Sequence, residues 1–370
     1  MSVQVSYKKQ MLFGIILLIC ILIFLEMGSR IYEYIVSDCF YLNSDATKDL
    51  PFELRETICK QSELVKFTEF PVYQYEPNQF LDTININSHG FRGEEFDLIK
   101  DPQQYRIMMV GGSTTFGSGS TSDDATIPAF LQSEFKKNMY DVEIINAGVG
   151  AADSREEAYK IRHIFKKFNP DLFIIYDGWN DSFQILNKDE INPNISRFEE
   201  IDSQKSIIQK FIRDYLQEYR TVFVINPLIQ NYYFSFFLND DVYQKHADIW
   251  SLRWEKICQE NNNDGIKTII LLQPMVGSGE KKLSYDEKRH ADYIKQVKIR
   301  EQLKYFAKSF PIQSCDASID LRNTLDEVKQ PIFYDGVHMI DAGYEIIAKA
   351  IFQEIKPIID TDLQNHRLNN

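Results

Sequence analysis

Short apolar runs alternate with helix-like segments from residue 106 onward, and this alternation constrains the fold most strongly. The apolar runs predict five strands, at Arg106–Val110, Val142–Asn146, Leu172–Tyr176, Lys267–Leu272 and Pro311–Gln313. The other segments predict helices near Ile127–Asn138, Ser154–Phe168, His246–Asn261, Tyr285–Ser309 and Asp341–Ile355. Continuous apolar strands are typical of a parallel sheet that is buried on both faces. The pattern therefore predicts an α/β domain in which helices cover both faces of a mostly parallel sheet.

Composition narrows the possible functions. The chain has 370 residues, enough for one large domain with appendages or for two small domains. The formal net charge of -13 argues against a nucleic-acid partner, because phosphate binding requires clustered Lys and Arg. The sequence contains no metal-spaced Cys/His cluster, Walker loop or GxGxxG motif, so we expect neither a metal nor a nucleotide cofactor.

The N-terminus carries an uncharged apolar run, Met11–Leu25, preceded by Lys8 and Lys9. We expect an uncleaved transmembrane signal anchor over residues 11–28, although the run is short for a membrane span. The lysines predict that residues 1–10 are cytoplasmic and that the chain from about residue 30 lies outside the membrane. A cleaved signal peptide, whose apolar region is of similar length, and a buried core helix are the alternatives.

Three further segments flank or interrupt the predicted domain, which we place at residues 101–358. Residues 29–100 form a lead-in of mixed character, and residues 359–370 a polar tail that we expect to be disordered. Residues 182–245 are too long for a simple crossover and include the aromatic cluster Tyr232–Phe237. Such a cluster is typical of core packing, and a lid over a substrate is the alternative.

Four cysteines follow the predicted anchor: Cys39, Cys59, Cys258 and Cys315, whereas Cys20 lies within it. In an oxidising compartment they permit two disulfides with three possible connectivities. Pairing Cys39 with Cys59 is the simplest of these, and free buried thiols are the alternative.

Ser113 lies in the stretch MVGGSTTFGSG, directly after the first predicted strand. It is either one polar residue of an ordinary Gly-rich turn or a nucleophile at the sheet edge where α/β proteins bind ligands. A serine nucleophile requires a base, a group that orients the base, and donors for the oxyanion.

Candidates for these partners follow later strands. Of the six histidines, His338 differs from the others because it lies in a turn-rich loop, FYDGVHMIDAGY, with Asp335 three residues before it. Asn180, in IIYDGWNDS, follows the third predicted strand. Its amide is suited to donate to an oxyanion, and a turn that caps the next helix is the alternative.

Together these segments resemble the four sequence blocks of the SGNH/GDSL hydrolase family, in order and spacing. The blocks are GGST at 111–114, NAGVGAADS at 146–154, GWND at 178–181 and DGVH at 335–338. The resemblance covers about residues 105–355. The segment NSHGFRGEEF also resembles the one that precedes the domain in membrane-anchored bacterial and archaeal members.

The resemblance implies a three-layer α/β/α sandwich with a flavodoxin-like five-stranded sheet. It implies that Ser113 is the nucleophile, that His338 is the general base and acid, and that Asp335 orients His338. The implied oxyanion donors are the N–H of Ser113, the side chain of Asn180 and an N–H of the second block. That last position falls on Ala151, where the family usually has glycine, with Gly150 just before it. Gly112 also departs from the Asp of the GDS form.

The implied function is a membrane-anchored, extracytoplasmic carboxylester hydrolase that needs no metal or cofactor. Small acyl groups, such as acetyl on a glycan or a lipid, are the expected substrates. An O-acyltransferase with the same residues, and a non-catalytic glycan-binding or assembly protein on the same fold, are the alternatives.

Overall fold

The computed structural model describes residues 6–35, 39–68, 72–183 and 239–369. Contacts divide these described residues into a first unit that extends to Cys39 and a second unit that begins at Phe40. In the first unit, helix α1 runs from Tyr7 to Ile35. Its part from Tyr7 to Ile31 has the length and composition of a membrane span, and a signal sequence has the same properties. These 25 residues extend over about 37 Å, so the helix is long enough for a bilayer although the run Met11–Leu25 alone is short.

The second unit contains all the described strands and the remaining helices. The strands are β1 Phe67–Thr68, β2 Gln74–Tyr75, β3 Gln79–Phe80, β4 Asn85–Ile86, β5 Tyr105–Gly111, β6 Val142–Gly148, β7 Leu172–Asp177, β8 Lys267–Leu272 and β9 Ala317–Asp320. The helices are α2 Phe40–Asn43, α3 Phe52–Leu64, α4 Ser113–Phe116, α5 Ile127–Lys137, α6 Ser154–His163, α7 Asp240–Asn263, α8 Tyr285–Ala291, α9 Ile294–Lys308 and α10 Asp341–Asn369. Short 3-10 turns occur at Asp123–Ala125, Phe165–Phe168 and Asp181–Phe183.

The central sheet has the order β6-β5-β7-β8-β9, and every neighbouring pair is parallel. This is the flavodoxin-like order 2-1-3-4-5, so the predicted fold class is confirmed. Every residue of β5 and β7 is buried, because helices cover both faces. The chain changes direction along the sheet between these two strands, and ligands of such folds bind at that point, beyond the carboxyl ends of the strands.

Alternate residues of β5 contribute to two separate cores. Ile107 and Met109 pack with apolar residues of α5 and α10 on one face. Met108 and Val110 pack with residues of α6, α7 and α9 on the other. Because successive side chains of a strand point to opposite faces, this alternation places one layer of helices on each side of the sheet.

Three predicted elements differ from the observed ones. The fifth strand is Ala317–Asp320, not Pro311–Gln313. It is an edge strand whose residues are partly exposed, so it lacks an apolar signal, and Pro311 has no N–H to offer a ladder. The helix predicted over 285–309 is two helices, α8 and α9, with no Gly or Pro in the sequence to mark the break.

The polar tail predicted for residues 359–370 is also different, because α10 continues to Asn369. Ile359 is fully buried in the core, and Tyr105 Oη donates to Asp362 Oδ2 at 2.5 Å. These contacts order a stretch whose sequence is otherwise polar.

Most of the predicted insertion, residues 184–238, lies outside the described residues, and so does its aromatic cluster. The predicted boundary at residue 245 falls inside α7, which begins at Asp240. Asn239 caps this helix, since its side chain accepts the N–H of Val242.

Part of the predicted lead-in is integral to the second unit. The hairpin β3–β4 reaches the central sheet through Arg92. The backbone of Arg92 forms one β-bridge with Ile86 of β4 and another with Asn146 of β6. The buried Arg92 guanidinium donates to the carbonyl oxygens of Phe116 and Gly117 at 3.1 and 2.8 Å, and pairs with Asp123 at 2.8 Å. Arg92 thus caps the C-terminal end of α4, the helix that begins at Ser113.

The cysteines are largely oxidised. Cys258 of α7 pairs with Cys315 just before β9. Cys39 and Cys59 are each disulfide-bonded, and Cys20 is free. The alternative of free buried thiols is therefore wrong for these four cysteines, while the pairing of Cys39 with Cys59 stays a prediction.

Candidate active site

Two glycines place Ser113 at the carboxyl end of β5. A Cβ on Gly111 would lie 2.1 Å from Thr115 Oγ1 and 2.5 Å from the carbonyl oxygen of Tyr176. A Cβ on Gly112 would lie 2.4 Å from Asn180 Nδ2. The backbone therefore excludes a side chain at Gly111, whereas a side chain at Gly112 would displace the Asn180 amide. Ser113 follows as the first residue of α4 and is partly exposed.

The loop before α10 presents Asp335 and His338. Asp335 Oδ1 accepts the backbone N–H groups of Val337 and His338 at 2.8 and 2.7 Å, which folds the four residues into a tight turn. The N–H of Val276, after β8, donates to the carbonyl of Gly336 at 3.1 Å. The imidazole of His338 stacks on the Tyr334 ring at 5.7 Å between ring centroids. These contacts fix the position of the imidazole.

Ser113, His338 and Asp335 form one chain of hydrogen bonds. His338 Nε2 lies 2.7 Å from Ser113 Oγ, and His338 Nδ1 lies 2.7 Å from Asp335 Oδ2. Burial alone would raise the pKa of Asp335, but the adjacent imidazole and three hydrogen bonds outweigh it, and the pKa is lowered. The aspartate is thus ionised and accepts a hydrogen bond from Nδ1–H, which leaves Nε2 as the acceptor that faces the serine. The structure brings together these three predicted residues from opposite ends of the domain.

The other predicted residues lie beside the serine. Asn180 Nδ2 donates to the carbonyl of Ala152 at 2.6 Å and faces Gly112, the residue before Ser113. Ala151 is exposed in a left-handed conformation, φ +60°, in a turn that the N–H of Ala152 closes by donating to the carbonyl of Val149 at 3.1 Å. The N–H of Gly150 donates to Tyr75 Oη at 3.0 Å.

Sequence reasoning missed several residues of this region. Gln273 follows β8, and its Oε1 accepts the Thr114 hydroxyl at 3.2 Å. Gln296 lies against Gly336 and accepts the Trp179 indole N–H at 3.4 Å. Gln273 follows β8 at the edge of the sheet that carries Ser113. Its position directly after a strand, which made Asn180 a candidate, would therefore have indicated Gln273 as well. Gln296 and Tyr75 lie on other elements and carry no such signal.

A buried layer of acidic residues lies beneath the second and third blocks. Asp181 accepts the N–H of Ser154 at 2.9 Å and lies 3.8 Å from Arg253, and Asp177 accepts the Trp250 indole N–H at 2.7 Å. Burial raises the pKa of Asp181 and of Glu157 well above the ordinary carboxyl range. This layer joins α6, α7 and the end of β7, and so supports the strand end that carries Asn180.

The fold and the site together define a class of protein. A three-layer α/β sandwich that places a serine, a histidine and an aspartate in one hydrogen-bonded chain has the arrangement used by serine acyl hydrolases. Residues 107–351, more than half of the chain, match the profile of the family described as GDSL-like lipase/acylhydrolase. The chain belongs to this family, as its four blocks predicted, and is an ester-hydrolysing enzyme.

Solved structures of low sequence identity are also similar. The acetylxylan esterase Axe2 from Geobacillus stearothermophilus is 12% identical with a TM-score of 0.40, over 68% of this chain and 94% of that one. The acetyl xylan esterase AlAXEase is 14% identical with a TM-score of 0.37, over 68% and 99%. An α/β hydrolase, LAE5, from the metagenome of Lake Arreo, Spain, is 13% identical with a TM-score of 0.39, over 67% and 94%. A search of curated proteins finds no match.

Proposed function

We propose that the protein is a serine-dependent carboxylesterase in which Ser113 is the nucleophile and His338 the general base and acid. The observation that carries the proposal is the pair of 2.7 Å contacts that link Ser113, His338 and Asp335. Asp335 holds the imidazole in the tautomer that leaves Nε2 free to accept the serine proton, and it stabilises the imidazolium that forms.

The reaction proceeds in two halves. Ser113 Oγ attacks the ester carbonyl carbon as His338 Nε2 takes the hydroxyl proton, and the carbonyl oxygen becomes an oxyanion. Collapse of this intermediate breaks the bond to the alcohol oxygen, which receives the proton from His338, and an acyl-serine remains. Water then attacks the acyl-serine with His338 as base, and the second collapse releases the acid and returns the proton to Ser113.

Three donors would stabilise the oxyanion: the N–H of Ser113, the side chain of Asn180 and the N–H of Ala151. Asn180 faces the residue before the nucleophile. Of the two second-block positions, we favour Ala151, because the resemblance to the family places the usual glycine donor at this position. An oxyanion donor of this kind contributes about 10²- to 10³-fold to kcat.

Ser113→Ala and His338→Ala test the assignment in the full-length protein, purified in detergent. Both variants should lose hydrolysis of a short acyl ester, and Ser113→Ala should also lose labelling by a fluorophosphonate probe. Ser118→Ala, in the same loop, is the matched control and should keep both. Full activity in the Ser113→Ala variant would exclude the mechanism, and a wild-type protein that is neither active nor labelled would favour a binding or assembly protein.

We also propose that α1 is an uncleaved anchor and that the enzyme domain lies outside the membrane. Lys8 and Lys9 precede the span, and the disulfide between Cys258 and Cys315 suits an oxidising compartment. Protease added to cells with the outer face of that membrane exposed should digest the domain. Protection until the membrane is permeabilised would contradict this topology.

Within this assignment we propose small acyl esters as substrates. O-acetyl groups of glycans or lipids are the first to test, since both are accessible to a domain that lies outside the membrane. Acetate release from acetylated glycans and lipids would measure this, with a glycan acceptor added to detect acyl transfer in place of hydrolysis. Faster turnover of long-chain esters than of acetyl esters would contradict it.

A further inference from the structure

The turn that carries Ala151 is held by hydrogen bonds from several parts of the domain. The N–H of Val149 donates to the carbonyl of Gly111 at 2.9 Å, and Asn180 donates to the carbonyl of Ala152. The N–H of Gly150 donates to Tyr75 Oη at 3.0 Å. Tyr75 differs from the other partners because it belongs to the lead-in, outside the residues that match the family profile.

Tyr75 is also packed against the helix of the nucleophile. Its ring stacks on that of Phe116, the last residue of α4, at 4.5 Å between centroids, and contacts Phe67 of β1 at 4.6 Å. The side chain is 3% exposed. Burial raises the pKa of Tyr75, so its hydroxyl stays neutral across the pH range in which an esterase works.

The backbone around Tyr75 is fixed as well. Gly90 is in a left-handed conformation, φ +83°, and a Cβ there would lie 2.9 Å from the Tyr75 carbonyl oxygen. The neighbouring Gln74 donates from Nε2 to the carbonyl of Gly90 at 3.0 Å. The hydroxyl is therefore presented from a rigid support and not from a loose loop.

We propose that Tyr75 is a positioning residue of the esterase site, which fixes the orientation of the Gly150–Ala151 peptides for oxyanion stabilisation. Ala151 occupies a left-handed conformation that is unfavourable for a residue with a Cβ, so the turn requires support from outside. The Tyr75 hydroxyl supplies it one residue before the donor that we assign. The inference rests on the proposed function, since it concerns the same oxyanion site.

Tyr75→Phe removes this hydrogen bond in the full-length protein, and phenylalanine keeps the ring stacking on Phe116. We expect the variant to lower kcat about 10- to 100-fold, as misplacement of a catalytic group does. KM should stay within about two-fold, because the loss affects the transition state and not substrate binding.

Tyr105→Phe is the matched control. Tyr105 is equally buried, its hydroxyl donates to Asp362, and it lies at the opposite end of β5 from Ser113. It should lower the unfolding midpoint without lowering kcat or the rate of fluorophosphonate labelling, whereas Tyr75→Phe should lower both rates. If Tyr75→Phe keeps wild-type kcat, or if it changes only KM, Tyr75 is not a positioning residue. Absence of activity and labelling in the wild-type protein would instead overturn the proposed function.

Discussion

Replacement of Asp335 by Asn should remove nearly all activity while leaving the site geometry intact. Asp335 Oδ1 accepts two backbone N–H groups, so the single oxygen of an asparagine must occupy that position. Its NH₂ group then faces His338 Nδ1 and donates to it, which forces the imidazole proton onto Nε2. A protonated Nε2 cannot accept the Ser113 proton.

The magnitude follows from the loss of the correct tautomer. A change of this kind in a Ser-His-Asp site lowers kcat about 10⁴-fold, which corresponds to about 5 kcal/mol of transition-state stabilisation. The low pKa of Asp335 stabilises the folded state above about pH 3.9, the ordinary value for Asp, and this contribution is lost as the pH falls through the lower folded-state value. The stability difference between wild type and Asp335→Asn should therefore be present at neutral pH and shrink in acid.

Steady-state hydrolysis of a short acyl ester across pH 5 to 9 is the assay, with urea unfolding to measure stability. Asp341→Asn is the control, because Asp341 is bound by Thr121 at 3.0 Å and begins α10 three residues after His338. It should keep kcat within about three-fold, because Asp341 binds Thr121 and takes no part in the chain of hydrogen bonds that links Ser113, His338 and Asp335. A loss of less than 10-fold in Asp335→Asn would refute the assignment of Asp335 as the residue that orients His338.

Three more outcomes are expected. Asn180→Ala should lower kcat about 10²-fold or more with little change in KM, because it deletes an oxyanion donor; a change confined to KM in the same ester assay would contradict this. Glu157→Gln should stabilise the protein at pH 8, since neither Glu157 oxygen accepts a hydrogen bond from the residues that the structure describes and burial raises its pKa well above normal. Above about pH 4.3 the folded state then retains a proton that the unfolded state loses, so the stability of the wild-type protein falls as the pH rises. The stabilising effect of Glu157→Gln should therefore grow by about 1.4 kcal/mol for each pH unit between these two pKa values. Urea unfolding at pH 4 and pH 8 that shows no such growth would refute this prediction. Replacing Cys258 and Cys315 together by Ala should cost about 4 kcal/mol for a separation of 57 residues, and an unchanged denaturation midpoint would show that the bond contributes little.

Sequence alone was sufficient for the parts of the molecule that follow a regular physical rule. The buried strands β5 and β7 have continuous apolar sequences, and the residues after them lie at the sheet edge where a parallel fold places its site. Ser113 and Asn180 were therefore candidates by position. A turn-rich loop before the final predicted helix singled out His338, with Asp335 three residues before it, and the resemblance of the four blocks to the SGNH/GDSL family implied the roles of all four residues. The family profile confirms the class of enzyme that these blocks indicated.

The remaining features depend on tertiary contacts that leave no local pattern. The edge strand Ala317–Asp320 is half exposed, so its composition is that of a loop. The C-terminal residues form a helix because Ile359 and Asp362 meet the core and Tyr105, although their sequence is polar. Tyr75 joins the site through one side-chain hydroxyl, and its neighbours in sequence give no indication of that contact.

The contacts of Arg92 also determine where this enzyme can be separated from its N-terminal helix. Arg92 caps α4 and bridges to β6, and Tyr75 binds the turn before α6, so the lead-in is an inner part of the folded domain. A cut just before Phe40 would preserve these contacts, because every residue that makes them follows Phe40. A cut near residue 100, shortly before the family match begins at residue 107, would leave α4 without its cap and the turn that carries Ala151 without its support. In this chain the boundary of the functional enzyme therefore lies 67 residues before the boundary of the recognisable family sequence.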